Sequence, residues 1–365
     1  MPGGVGGARA SLASTRFPFL PAGCTVDLDR QSRDIILDNL KAAVRRSRWK
    51  TLVADLRTEA VGVGLRDFLD RHGLRLEDVY RGGHSWTELQ REARHPTASP
   101  VDPAVEGRTL RAVGRMTHLD DPERVDVYRR ILAQEFPPDA EGRDERERRL
   151  LTMLAWDLGS GEGSYSSLGD YFEQLWLEEA PLRELSELLS VLDERSNVRS
   201  RPSELPAEIP LTLHGRYTRA EVVAALGFAD GVKPKVTQGG ILWVPQAKSD
   251  VFFIDLRKAE RDYSPTTMYR DYAITRELFH WESQSRQHAG QETVRRYIEH
   301  QSRGTRVLLF VRERKTFELG TQAFTFLGSA KYVSHEGERP VAFTWRLAVP
   351  MPEELFEVAR SVAAA

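Results

Sequence analysis

The densest collection of side chains able to do chemistry lies between Tyr263 and Ser285, in the run YSPTTMYRDYAITRELFHWESQS. Three tyrosines, a Phe-His-Trp sequence and two serines beside a glutamine share that one segment. Flat rings grip the faces of planar ligands, and amides and hydroxyls read hydrogen-bonding edges. That composition suits a nucleobase pocket. The same residue types also build a core helix that runs into a loop. Lys258, Arg261, Arg270, Arg286, Arg312 and Arg314 flank the segment or the strand ends near it. Cations in such places hold a phosphate backbone while rings and amides contact bases. Scattered surface charge is the plainer reading of any one of them.

A hydrolytic site is the second possibility. The apolar run Val307 to Val311 leads into Arg312-Glu313-Arg314-Lys315, which puts an E-x-K at the end of a strand. Asp255 and Asp271 lie upstream. Asp255, Glu313 and Lys315 around a divalent ion would let the metal polarise a phosphate and the lysine steady the attacking water. The alternative is an exposed, charged strand exit. His280, His288 and His300 share no metal-ligand spacing, and Cys24 is the only cysteine, which excludes a multi-thiolate site or an internal disulfide. No G-x-S-x-G elbow supports a serine nucleophile. The sequence calls for no metal and no cofactor.

The elements that must position these residues follow from the hydrophobic period. Ser264 as a cap and Pro265 at the first helical position predict a helix with Met268, Tyr272 and Phe279 on one stripe. The rest of the C-terminal part reads as short strands at Ile241–Val244, Val251–Leu256, Arg306–Val311, Phe324–Leu327, Lys331–Ser334 and Val341–Leu347. A capping box at Thr218 and Glu221 opens one good helix, Arg219–Leu226, closed by Gly227. This set predicts a small, curved, barrel-like sheet over 212–365.

Upstream the pattern is helical. Residues 1–16 are Gly/Ala/Ser-rich and read as a disordered start. Residues 17–95 form a helical region, 96–110 a Pro-rich linker, 111–195 a second helical region and 196–211 a second linker. Ile35, Ile36, Leu40 and Val44 recur at helical spacing. Trp49–Arg57 and Leu65–Arg71 follow, the latter stopping at His72-Gly73, and Ser85 with Glu88 opens a further helix. The fold class is α+β: an all-helical N-terminal region, then a small mixed β domain.

Forty per cent hydrophobic and 29% charged residues in a chain of 365 describe a soluble globular protein with room for two or three domains. The formal net charge of −2 gives the whole chain no nucleic-acid signature. The charge is uneven, however. From Leu213 onward there are 22 Lys+Arg against 18 Asp+Glu, or +4, which leaves −6 for the remainder. A mildly basic C-terminal part favours a polyanionic partner. No apolar run approaches the ~20 residues of a membrane span, and no signal-peptide core is present, so the expected compartment is the cytoplasm. There is no G-x-x-x-x-G-K-S/T phosphate loop and no Asp-Glu-Ala-His-type box. This chain alone is not expected to hydrolyse ATP.

Two groups of segments carry a resemblance. FPFLPAGCTVDLDRQSRDIILDNLK and GLRDFLDRHGLRLEDVYRGGHSWTELQREA resemble the segment that follows the motor in a group of bacterial superfamily 2 helicases. GGILWVPQAKSDVFFIDLRKAERDYSPTTMYRDYAITRELFHWESQS, RYIEHQSRGTRVLLFVRERK, AFTFLGSAKYVSHEGERPVAFTWRL and the closing PMP resemble the domain of unknown function at the C-terminal end of the same helicases. That match runs from Leu213 to about Glu357. In several relatives a phospholipase-D-like nuclease precedes the motor, and the whole is a modification-dependent (type IV) restriction system.

The resemblance implies that the C-terminal domain is an SRA/PUA-like reader of methylated or hydroxymethylated cytosine in double-stranded DNA. On that reading Tyr263, Tyr269 and Trp281 stack on an extruded base, and His280, Ser283 and Gln284 bond its edge. Trp281→Ala would then remove binding and leave the fold intact. This sequence carries neither nuclease nor motor. It is expected to be a truncated product or a subunit whose helicase or nuclease partner is encoded separately. The alternatives are a metal-dependent nuclease, or an assembly scaffold for a separate helicase through residues 17–195.

Overall fold

The computed structural model describes residues 48–195, 203–229, 231–234, 239–257, 271–283, 287–317 and 320–363. Two compact units are present, 1–59 and 60–365. In the first, residues 48–58 are helical and bury Trp49, Leu52, Val53 and Leu56, the amphipathic run expected there.

The second unit begins with helices α1 (Leu65–His72), α2 (Leu76–Tyr80), α3 (Trp86–Glu92), α4 (Pro103–Val113), α5 (Pro122–Leu132), α6 (Glu145–Asp157), α7 (Leu168–Leu175) and α8 (Glu179–Arg195). Local signals set several ends. Gly73 closes α1 at φ 60°, a left-handed conformation that favours glycine. The Ser85 hydroxyl accepts the Glu88 N–H at the start of α3. Asp102 caps α4 and Pro103 occupies its first turn, so this helix begins inside the stretch 96–110 that reads as a linker. Proline there starts a helix rather than breaking one.

Helix α8 ties the helical layer together by accepting at the starts of other helices. Glu184 accepts from the backbone of Trp86 (3.0 Å) and Thr87 (2.8 Å), and Glu187 from Leu65 (2.6 Å). Glu178, just before α8, accepts from Val101 (3.1 Å) and Asp102. First-turn N–H groups have no partner inside their own helix, and a carboxylate suits them. Burial nevertheless pushes the Glu184 carboxyl up to about 7.

The sheet follows: β1 (Arg216–Tyr217), helix α9 (Arg219–Ala225), β2 (Ile241–Val244), β3 (Ser249–Asp255), β4 (Tyr272–Ala273), β5 (Leu278–Glu282), α10 (Glu292–Ile298), β6 (Arg306–Arg312), β7 (Thr316–Phe317), β8 (Gly320–Thr321), β9 (Phe324–Glu336), β10 (Ala342–Leu347) and α11 (Glu353–Ala363). The main sheet has eight strands in the order β2-β3-β6-β9-β10-β5-β4, with β1 beside β9. β3 and β6 are parallel and the other pairings are antiparallel. Among the described residues the sheet is open, not barrel-like. The runs 324–327 and 331–334 are one strand that passes through Gly328 at φ 87°. A Cβ on Gly328 would sit 2.8 Å from Leu213 Cδ1.

The inner face of the sheet carries Phe252, Ile254, Phe279, Trp281, Val307, Leu309, Phe343 and Trp345, which form one buried cluster with Val294 and Tyr297 of α10 and Ala359 of α11. The outer face is covered over only part of its width. There Phe253, Phe310, Phe324 and Phe326 pack together, and the Arg219 guanidinium of α9 lies 4.1 Å over the Phe253 ring.

Behind α9 stands α6. Arg149 donates to Ala225 O (3.1 Å) and Trp156 Nε1 to Gly231 O (2.8 Å). A buried charge cluster locks this seam. Arg124 of α5 donates to Glu221 of α9 and lies 3.5 Å from Asp157 of α6, while His118 Nε2 is 3.0 Å from Glu221. Burial opposes the charge on Glu221, but the Arg124 guanidinium prevails and holds its carboxyl well below the usual range. Beside it, Tyr217 donates to Asp121 (2.6 Å) and accepts from Thr212 N–H (2.8 Å).

Candidate nucleic-acid interface

The helix predicted from Ser264 onward does not extend over its described part. Residues 272–273 and 278–282 are strands β4 and β5. The run Leu278-Phe279-His280-Trp281-Glu282 alternates, with Phe279 and Trp281 buried and the other three half-buried. A period of two puts rings on one face and polar groups on the other, and burial of the ring face decides for strand over helix.

This placement separates the candidate residues. Trp281 is 5% exposed and packs against Phe252 (4.4 Å between centroids) and Phe343 (5.6 Å) on the inner face. It is a core ring rather than a stacking platform. Ser283 is buried, and its hydroxyl accepts from Val341 N–H (2.9 Å), which closes the end of the β5–β10 pair. Arg312 is buried as well. It donates to Asp255 (2.5 Å) and to Gln322 O (2.8 Å) and stacks on Phe324 at 4.0 Å. That guanidinium is held inside the protein. Tyr263, Tyr269, Gln284, Lys258, Arg261, Arg270 and Arg286 lie outside the described residues.

Two candidates remain. Arg314 is half-buried and pairs with Glu313. His280 is half-buried on the outer face. It lies in a row that crosses four strands on the outer face: Tyr272 (β4), His280 (β5), Thr344 (β10) and Ser334 (β9) are register partners in turn. The Tyr272 and His280 rings stack, with centroids 4.5 Å apart and planes at 23°. The adjoining row is Leu278, Arg346 and Lys331, with both cations exposed. The row on the other side is Glu282, Ala342 and Glu336. Its carboxylate Glu282 stands 3.8 Å from His280 Nε2. The surface thus offers stacked rings, two hydroxyls and a graded charge, positive at one margin and negative at the other.

The carboxylates proposed for hydrolysis at Asp255 and Glu313 are engaged by arginines. Asp255 is held by Arg312, and Glu313 is paired with Arg314 and lies 3.5 Å from Arg257. Asp271 is buried and accepts from Glu282 N–H (3.1 Å). Lys315 is exposed. Among the described residues no group of three or more His, Cys, Asp or Glu could hold a metal ion.

Ser334, Thr344, Lys331 and Arg346 are not singled out by residue type, and Tyr272 stands out only as one of the three tyrosines and on the predicted helical stripe. Their signal is in the alternation Phe343-Thr344-Trp345-Arg346-Leu347, where large apolar residues mark the inner face and the intervening ones the outer.

The comparison with protein families falls on the same stretch. Residues 211–359 match the model of a domain of unknown function (DUF3427). The chain contains a DUF3427 domain. It spans β1 through most of α11, so the outer-face rows all belong to it. No curated protein matches the chain. No helix among the described residues is long and apolar enough to cross a membrane.

Proposed function

We propose that the DUF3427 domain binds double-stranded DNA and reads methylated or hydroxymethylated cytosine, in company with a helicase or nuclease subunit. The observation that carries this reading is the outer-face row Tyr272, His280, Thr344 and Ser334 beside Arg346 and Lys331. An aromatic face contributes about 1–3 kcal/mol per stacked base, and cations and hydroxyls anchor phosphates. The basic balance of the chain from Leu213 onward supports the same partner. The helicase connection rests on the resemblance of the flanking segments. Relative to the expectation from sequence, Trp281, Ser283 and Arg312 leave the set of contact residues. Tyr272, Thr344, Ser334, Lys331 and Arg346 join His280 in it. The nuclease alternative loses ground because its carboxylates are already engaged by arginines.

The test is a gel-shift titration of the full chain with one duplex prepared unmodified, 5-methylated and 5-hydroxymethylated on cytosine, at ~150 mM salt to suppress non-specific phosphate binding. Preferential binding of a modified duplex, lost in Tyr272→Ala/His280→Ala, is the expected result. Equal binding of all three duplexes would remove modified-base reading, and binding unchanged in the double variant would remove this surface.

A further inference from the structure

The ring stack on the outer face stops one strand short of a pair of hydroxyls. Tyr272 of β4 and His280 of β5 are register partners, and their rings lie 4.5 Å apart with planes at 23°. Neighbouring strands are about 4.8 Å apart, so this stack advances across the sheet by one strand per ring. The next strand is β10, where the register partner of His280 is Thr344. Thr344 carries no ring, and among the described residues the only ring against His280 is Tyr272. A planar ring laid on the other face of His280 would therefore stand over Thr344, as the third layer of the stack.

The floor of that layer is hydroxylic. Thr344 is half-buried, and its partner on β9 is Ser334, which is exposed. Cross-strand partners hold their Cβ atoms about 5 Å apart, so both hydroxyls come within reach of one small group above them. Neither hydroxyl has a hydrogen-bond partner among the described residues. Each keeps a donor and an acceptor for a ligand.

The charge on either side orients a cytosine in this layer. Two positions along β10 in one direction stands Arg346 beside Lys331, both exposed. Two positions in the other direction stands Ala342, between Glu282 and the exposed Glu336. In cytosine the glycosidic nitrogen and the exocyclic amine lie at opposite ends of the ring. With the sugar-phosphate toward the cations, the amine points to the carboxylate margin, and carboxylates accept from that amine. Of the two edges left, one faces the hydroxyls and the other faces out. A substituent on C5 is sensed only when the C5 edge faces the protein. If this face reads a modified cytosine, as proposed above, the substituent lies against Thr344 and Ser334.

We propose that the preferred modification is 5-hydroxymethyl rather than 5-methyl, and that Thr344 and Ser334 select it. This inference rests on the reading of the outer face given under the proposed function. The added hydroxyl bonds the side-chain hydroxyls. A methyl in the same place takes them from water and returns no bond, and a polar group left unpaired is costly. The preference is one of degree, about three- to tenfold, which is what one neutral hydrogen bond contributes.

The test measures the affinity of the full chain for one duplex prepared unmodified, 5-methylated and 5-hydroxymethylated on cytosine, at ~150 mM salt. It compares the parent with Ser334→Ala/Thr344→Val. The parent should bind the hydroxymethyl duplex about three- to tenfold tighter than the methyl duplex, and in the variant that ratio should fall to about one at an unchanged urea midpoint. Thr344→Phe, which puts a ring into the third layer, should weaken both modified duplexes together. Equal binding of the two modified duplexes, with the unmodified one weaker, would overturn this inference and leave modified-base reading standing. A preference for the methyl duplex would overturn it too and pass the selection to Val333, which precedes Ser334 and is 42% exposed. A hydroxymethyl preference that survives in the double variant would place the selecting groups elsewhere. Equal binding of all three duplexes would remove both this inference and the reading it rests on.

Discussion

The two halves of the main sheet differ in what lies on their outer face. β3 and β6 are buried on both sides over almost their whole length. Phe253 and Phe310 meet Phe324, Phe326 and Arg219 there, with α6 behind α9. β5 and β10 share the same inner core, yet their outer residues stay half-buried or exposed. The sequences record the difference. VFFI and VLLFV are continuous apolar runs, whereas LFHWE and AFTWRL alternate. A continuous run signals burial on two faces, and alternation signals one. The lesson is that the outward-facing residues of a sheet are found between the large rings of an alternating strand, and that the rings themselves hold the fold.

The sharpest way to break this comparison is Trp281→Ala. If Trp281 belongs to the inner core, its truncation costs about 3–5 kcal/mol, read as a lowered urea midpoint. A loss within ~0.5 kcal/mol, the range of an ordinary surface substitution, would return Trp281 to the binding surface. Glu221→Ala acts on the seam behind the covered half. It leaves the Arg124 guanidinium buried with Asp157 at 3.5 Å as the remaining acidic partner on that nitrogen. Breaking a buried pair from one side costs about 3–5 kcal/mol, well above the ~1 kcal/mol expected of Thr218→Ala, which removes the cap alone.

Next in size is a pH effect on the helical layer. The Glu184 carboxyl rises from the ordinary 4.5 to about 7 through burial. A folded-state value above the unfolded one means stability is greatest below about 4.5 and is lost as the pH rises to about 7. The loss amounts to roughly 3 kcal/mol, and subtracting the stability curve of Glu184→Gln isolates it. A pH-independent difference between the two proteins would show that Glu184 keeps an ordinary value. The smallest effect belongs to the outer face. Thr344→Ala should change stability by no more than ~0.5 kcal/mol, because it removes no packed ring. A loss above ~1.5 kcal/mol would mean that this half is covered too.

Much of the architecture was legible. The α+β division, the capping box at Thr218 and Glu221, the Gly73 terminator and the strands at 241–244, 251–256, 306–311 and 341–347 follow from local chemistry. The helix assigned across Tyr272 and Phe279 failed because Met268, Tyr272 and Phe279 satisfy a helical stripe, while Phe279, Trp281 and the exposed positions between them satisfy a strand. Only the cross-strand partners of β10 settle that choice. The seam was illegible for another reason. Glu221 announced itself as a cap residue, and nothing local shows that Arg124, 97 positions away, shares it. The outer-face row was likewise invisible, since Tyr272, His280, Thr344 and Ser334 become neighbours only through register.

The central claim is that the exposed half of the sheet meets DNA. The most direct measurement is the affinity of the full chain for a 5-methylcytosine duplex at ~150 mM salt, with and without Lys331→Glu/Arg346→Glu. Both side chains are exposed, so the double variant should unfold at the same urea concentration as the parent. The expected result is intact stability with binding weakened about tenfold or more, since reversing two phosphate contacts replaces attraction with repulsion. Undiminished binding by a stably folded variant would contradict the account and place the DNA contact elsewhere in the molecule.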